Sequence, residues 1–316
     1  MASVAAVASV EEHLAWEARQ RPRAAAAAIT AGLLTPLSLI LIRLSLADVP
    51  KAPFLNSLGQ AFKPGPVGEQ PSQLVPVFQY YVDRPLVFVG TAILSAIAML
   101  GLAWAVTFLA VAARARRPEL PRYLIYVTLI GAVLIAISAV LNGIGRIVAF
   151  NSFLDSAKTI DDARDIGGQA LLATATLISE LAPLALAAGL LLVSLNAMRV
   201  GLLTRFLGVL GMISGALTVF SNFFLFGPFV QAFWLLSLGF VFLGVGRGSA
   251  PPAWATGKAE PWPSQREVAA QKQAAKGRGP APKAAAEADG DDDEAQPVAA
   301  GRPHPTSKKR KRKRRG

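Results

Sequence analysis

Six apolar stretches between residues 24 and 246, each long enough to cross a lipid bilayer, constrain this chain more than any motif in it. A helix needs about 20 residues, at a rise of ~1.5 Å each, to span a hydrocarbon core ~30 Å thick. The stretches lie at about 24–46, 86–113, 124–150, 169–197, 206–226 and 229–246. The last two come from one apolar block, Phe206 to Gly246, which as a single helix would be roughly 60 Å long, twice the bilayer. Gly227-Pro228 divides it, because proline cannot continue the hydrogen-bond ladder and glycine permits a tight turn. The expected fold is all-α: a six-helix transmembrane bundle followed by a disordered, basic, cytoplasmic C-terminal tail.

Charge is unevenly spread. Of 32 Lys and Arg, 16 lie after Gly246 together with 8 of the 20 Asp and Glu, so the tail carries two thirds of the +12 net charge. Cytoplasmic loops of membrane proteins are enriched in Lys and Arg. Arg19, Arg21 and Arg23, then Arg114, Arg116, Arg117 and Arg122, then Arg199 and Arg205 all fall on the side shared with both termini. The two loops on the other side hold five basic residues against seven acids. This bias places the N- and C-termini in the cytoplasm and the protein in the plasma (inner) membrane. Residues 1–23 have acids ahead of arginines and no apolar core, so they read as a cytoplasmic amphipathic segment rather than a secretory signal. Ser9 and Glu12 have capping-box spacing and mark the start of a short helix there. Its Leu14 and Trp16 lie either at the inner lipid surface or in a solvated leader. Tyr80, Tyr81, Tyr123 and Tyr126 flank spans where amphipathic rings settle at headgroup depth.

The chain has no cysteine, which excludes disulfides, thiolate metal sites and thiol nucleophiles. Its two histidines, His13 and His304, sit in the terminal segments, so neither a zinc site nor a Ser-His-Asp triad fits inside the apolar region. No cofactor and no metal are implied, and no enzyme is expected.

Charged groups near the middle of a span cost about 2.5–3.5 kcal/mol on insertion scales and are functional-site hypotheses by default. Arg43, Asn142, Arg146 and Glu180 stand out, joined by Asn222 and Gln231. Helix rise puts the first four in the outer half, with Arg146 and Glu180 roughly 9 Å apart in height. They form either a buried ion pair locking the third and fourth spans, with arginines near span ends snorkelling outward, or a binding or proton-handling site open to the outer face. A weaker pattern concerns halves: Pro36 and Pro183 interrupt the first and fourth spans, and Gly143-Ile144-Gly145-Arg146 is echoed by Gly244-Val245-Gly246-Arg247. Inverted repeats with interrupted helices are a transporter signature, though both features are common in membrane helices. Gly211 and Gly215 give the fifth span a small-residue face, for packing within the chain or for self-association.

Residues 249–307 are rich in Ala, Pro, Gly and charge, and cannot bury a core. Trp254 and Trp262 are expected to graze the inner headgroups. The acidic run Asp291-Asp292-Asp293-Glu294 precedes eight consecutive basic residues, Lys308, Lys309, Arg310, Lys311, Arg312, Lys313, Arg314 and Arg315. Beside a membrane such a run points to anionic lipid headgroups, at up to about 1 kcal/mol per residue. Nucleic acid is the rival partner, but no interleaved aromatics support base stacking; a solvated tail is the third reading.

The stretch from Asn196 to Gly215, NAMRVGLLTRFLGVLGMISG, resembles a pattern in uncharacterised multi-pass integral membrane proteins of high-GC bacteria. There a helix ends in Arg, Gly-Leu-Leu/Ile follows, and a second Arg opens a Leu-Gly-x-Leu-Gly helix. Those proteins often carry proline before the second Arg, where Thr204 stands here. The stretch PPAWATGKAEPWPSQ is similar to the segment that follows the membrane domain in some of them. The resemblance implies a plasma-membrane protein and carries over no catalytic residue. The expected function is non-enzymatic: membrane organisation or complex assembly, with the bilayer and its anionic headgroups as partners. The alternative is a small-solute transporter or channel using the outer-half cluster around Glu180 and Arg146; a membrane enzyme comes third. Oligomeric state is left open.

Overall fold

The structure, a computed structural model, describes residues 2–51, 59–60, 62–220, 226–245 and 251–262. Among them the regular structure is helical, apart from one isolated bridge between Pro71 and Thr159. The α-helices are α1 (Ala2–Ala47), α2 (Val75–Val82), α3 (Pro85–Arg116), α4 (Tyr123–Leu154), α5 (Ile160–Asp165), α6 (Ala170–Arg199), α7 (Arg205–Val219), α8 (Gly227–Leu243) and α9 (Ala253–Thr256). They belong to a compact unit, Met1–Pro263. The second unit, Ser264–Gly316, contains the acidic and basic runs and lies outside the described residues.

Four helices, α1, α3, α4 and α6, are long and apolar enough to cross a membrane. Only a third of their most apolar windows is buried, while Leu33, Ile97, Leu100, Ile130, Leu177 and Leu184 point outward. Large apolar area facing outward is what lipid, not water, tolerates. The chain is a membrane protein. The fifth and sixth expected spans are shorter than expected: α7 and α8 have 15 and 17 residues, about 22 and 26 Å, less than a ~30 Å core. The break does fall at Gly227-Pro228, where α8 begins. Pro228 sits in its first turn, where a missing N–H costs nothing. Residues 221–225 are not described.

Around the molecule α1 packs on α3 and α8, α3 on α4, α4 on α6, α6 on α7, and α7 on α8. These contacts are close because small residues line them. Ala24, Ala25, Ala28 and Ala31 of α1 are fully buried. A Cβ on Gly101 would stand 2.8 Å from the Ala27 carbonyl, and one on Gly131 would stand 2.6 Å from the Leu186 nitrogen. Where lipid is as apolar as the side chains, such backbone approach drives helix association. Gly211 and Gly215 serve the same end within the chain: the first faces Ser194 and Trp234, the second the Ala187 carbonyl.

Three expectations are corrected here. The N-terminal segment and the first span are one continuous helix through Pro22 and Pro36, so Ser9 lies inside α1 rather than at its start. Close packing on α3 and α8 outweighs the lost backbone bonds. The two halves that the repeat pattern relates also differ in described helix length. The second half pairs helices of 15 and 17 residues with two of 32, and the Gly-x-Gly motifs differ in role. Gly143 and Gly145 are inside α4, whereas Gly244 is a left-handed C-cap at φ 69°. Lastly, residues 251–262, assigned from sequence to the tail, are part of the folded unit.

The loops sort to two ends. At one, Ser72 N–H donates to the Lys158 carbonyl (2.8 Å) and Ile160 N–H to the Gln70 carbonyl (2.9 Å), joining the two acid-bearing loops. Thr159 caps α5 in a capping box with Asp162. Tyr80, expected at headgroup depth, is buried, and its hydroxyl donates to the Ser45 carbonyl (2.8 Å). Tyr123 and Tyr126 are exposed, as an interfacial position requires. At the other end lie Arg114–Arg122, Arg199–Arg205 and residues 251–262. There Thr204 accepts the Leu207 N–H and N-caps α7.

Candidate functional site

Two places concentrate polar chemistry, one at each end. The first is a chamber of about 410 Å³ between the long helices, on the side of the acid-bearing loops. Helices α1, α2, α3, α4, α6, α7 and α8 all contribute to its wall. Polar side chains are drawn in because each helix turns one face inward, and in membrane proteins that face is where polar groups cost least. Thr35, Thr91 and Thr218 donate to carbonyls three or four residues back in their own helices and so are internally satisfied. Asn142 Nδ2 does likewise with the Ser138 carbonyl (2.9 Å).

Among the lining groups without a hydrogen-bond partner are Gln231 and Arg146. Gln231 is 7% exposed, and its Nε2 has no hydrogen-bond partner among the described residues. Arg146 makes neither a salt bridge nor a hydrogen bond among them; it is the one formally charged residue of the described lining. Tyr81 stacks on Phe88 (4.2 Å between centroids) beside it. Burial pushes the Tyr81 hydroxyl above its ordinary pKa; the nearby Arg146 charge opposes that shift and Tyr80 adds to it.

The expected cluster is thus divided. Asn142 and Arg146 line the chamber, with Gln231 added. Arg43, Arg146 and Glu180 are all exposed, but only Arg146 lines the chamber, and Asn222 lies outside the described residues. The anticipated Arg146–Glu180 ion pair does not form. Helix phase explains this: at about 100° per residue, Glu180 stands roughly 130° from the middle of the buried face of α6, in a strip with Leu177, Leu181 and Leu184. Height along the span was legible in the sequence; rotation about the helix axis was not.

The second place is a clasp at the arginine-rich end. Arg116, at the end of α3, forms a bidentate pair with Glu17 of α1 through Nη1 and Nη2. Its Nε and Nη2 also donate to the Ala253 carbonyl at 3.0 and 2.7 Å, and Nη1 to the Ala112 carbonyl at 2.9 Å. A buried carboxylate–guanidinium pair holds only when its remaining donors are satisfied, and here they are. Arg116 and Arg21 both approach the ring of Trp254, at 5.3 and 4.4 Å from its centroid. Phe108 lies parallel to that ring and Phe242 edge-on. Trp254 Nε1 donates to the Leu202 carbonyl (2.9 Å) and Trp262 Nε1 to that of Leu203 (2.8 Å). Gly201, at φ 78°, leaves room for the Glu260 carbonyl, which any Cβ there would strike.

Sequence reasoning missed Glu17, Arg116 and Trp254 as a unit. It read the tryptophans as headgroup contacts, whereas Trp254 is 4% exposed and Trp16 stacks on Phe108 (5.7 Å). The available signal was an acid among the N-terminal arginines and two tryptophans in a stretch otherwise rich in Pro, Ala and Gly.

Comparison with family models, with curated proteins and with solved structures finds no match to this chain.

Proposed function

We propose that this is a non-enzymatic integral protein of the plasma membrane. Its helices fix the point from which a polybasic tail reaches the anionic lipid of the same membrane surface. The observation that carries the reading is the clasp. Residues 251–262 are held on the arginine-rich end by Arg116, Trp254 and Trp262, so the chain runs on into 264–316 from that end. Tethering raises the local concentration of lipid headgroups over any free polyanion, and Lys308–Arg315 supplies eight charges worth up to about 1 kcal/mol each near such a surface.

The test is tryptic cleavage of the tail in full-length protein reconstituted with its arginine-rich end outward. Vesicles containing phosphatidylglycerol should protect the basic run at physiological salt, and pure phosphatidylcholine vesicles should not. A tail that ignores anionic vesicles yet binds DNA under the same conditions would reverse the assignment.

A second reading, handling of a small solute, is favoured by the chamber at Asn142, Arg146 and Gln231. Glu180, outside it, takes no part in that reading.

A further inference from the structure

Interiors packed at ordinary density leave few voids larger than a water molecule, whereas ligand sites run to about 300–1,000 Å³. The chamber, at about 410 Å³, belongs to the second group. Its chemistry is asymmetric. The wall is apolar at Leu39, Ile42, Phe88, Met99, Ile135 and Leu217, and Arg146 is its only formal charge among the described lining residues. No carboxylate opposes that charge: Glu180 faces away, and Arg146 has no partner among the described residues.

We propose that the chamber binds a small amphiphile bearing one anionic head group, a carboxylate or a phosphate, with the head on Arg146 and the hydrocarbon chain along the apolar wall. A guanidinium offers paired donors that match carboxylate or phosphate oxygens, and a cation would meet uncompensated repulsion there. Gln231 offers a second donor, buried and unused, and a buried unpaired amide is costly unless something accepts from it. The threonine hydroxyls and the Asn142 amide turn back to their own helices, which leaves Arg146 and Gln231, beside the Ser95 and Tyr81 hydroxyls, for polar recognition. A head group alone would lose its hydration against an apolar wall with no chain to cover it. Binding of this kind uses the chamber of the solute reading but requires no flux. Binding without transport upholds it and removes the transporter.

The experiment is retention of radiolabelled decanoate by full-length protein in zwitterionic nanodiscs, with empty discs subtracted. Decanoate and decyl phosphate should bind saturably, and decanol and decyltrimethylammonium about ten-fold or more weakly. Acetate and inorganic phosphate should not compete. Arg146→Gln should weaken decanoate about ten-fold and Arg146→Lys by less, since lysine keeps the charge but loses the paired donors. Ala139→Phe, which fills the chamber, should abolish binding in protein that still unfolds cooperatively. Equal binding of decanol or of the cation, competition by acetate, or no saturable binding to folded wild-type protein would each overturn the proposal. Intact mass measurement of protein taken from its own membrane separates the sources. A co-purified mass displaced by decanoate upholds a membrane lipid, and bare protein that takes up added decanoate upholds a free amphiphile.

Discussion

Arg116 and Glu17, 99 residues apart in the chain, meet as a bidentate ion pair with both side chains almost fully buried, and the same guanidinium holds the carbonyl of Ala253. Three segments that the sequence separates widely are thereby tied at one end of the helices. Removing one partner strands a charge. Glu17→Ala should therefore destabilise the protein by about 3–5 kcal/mol, and a Glu17→Ala, Arg116→Met double change by less than the sum of the singles. Thermal or denaturant unfolding in detergent measures both, and additive costs would show that the pair is not coupled.

Trp254 packs against the rings of Phe108 and Phe242 and the guanidiniums of Arg21 and Arg116, and donates one hydrogen bond. Trp254→Ala should cost about 3–5 kcal/mol and Trp254→Phe nearer 1 kcal/mol, since phenylalanine keeps the stacking but loses the donor to Leu202. Hydrogen exchange at residues 253–262 should quicken in the alanine variant before global unfolding does. Unchanged exchange there would show that the clasp is held by something else.

Arg146 and Glu180 point to different surroundings, so their substitutions should behave independently. A double-mutant cycle of Arg146→Ala and Glu180→Gln on stability should return a coupling below about 0.5 kcal/mol. A coupling of 1.5 kcal/mol or more would restore the ion pair.

Asp162 titrates in an exposed capping box. Hydrogen bonds from the Thr159 backbone and side chain, then from Ser156 and the Lys158 backbone, hold its carboxyl below the ordinary aspartate range. A carboxyl whose folded pKa is depressed adds stability above its unfolded pKa, and that stability is lost as pH falls through the folded one. Amide protection in Thr159–Asp165 should accordingly fade as pH drops below the usual aspartate value. Asp162→Asn should remove that dependence.

Close helix approach gives a contrast between glycines. Gly131→Ala must part α4 from the Leu186 backbone and should cost about 1–3 kcal/mol, whereas Gly90→Ala in α3 meets open space and should not lower stability. Unfolding temperatures of the two variants decide it.

The loops' division between two ends was legible because arginines and acids are sorted along the chain, and the break before α8 was legible because proline cannot sit mid-helix without a lost bond. The lengths of α7 and α8 were not, since hydropathy continues past Val219 where the helix stops. Asn142 and Arg146 were singled out by their height in the span and do line the chamber, but height alone also admitted Arg43 and Glu180. Nothing local marked Trp254 as a core residue, because its partners come from α1, α3, α8 and the loop at Leu202.

By itself the sequence determined that long apolar helices lie in hydrocarbon and that basic and acidic loops sort apart, because apolar length and charge placement act one residue at a time. Only the tertiary structure decided which polar groups face one another. That depends on the rotation of each helix about its axis, fixed by where alanines and glycines let neighbouring backbones touch. Rotation turned Arg146 into a chamber and Glu180 away from it, and brought Glu17, Arg116 and Trp254 together.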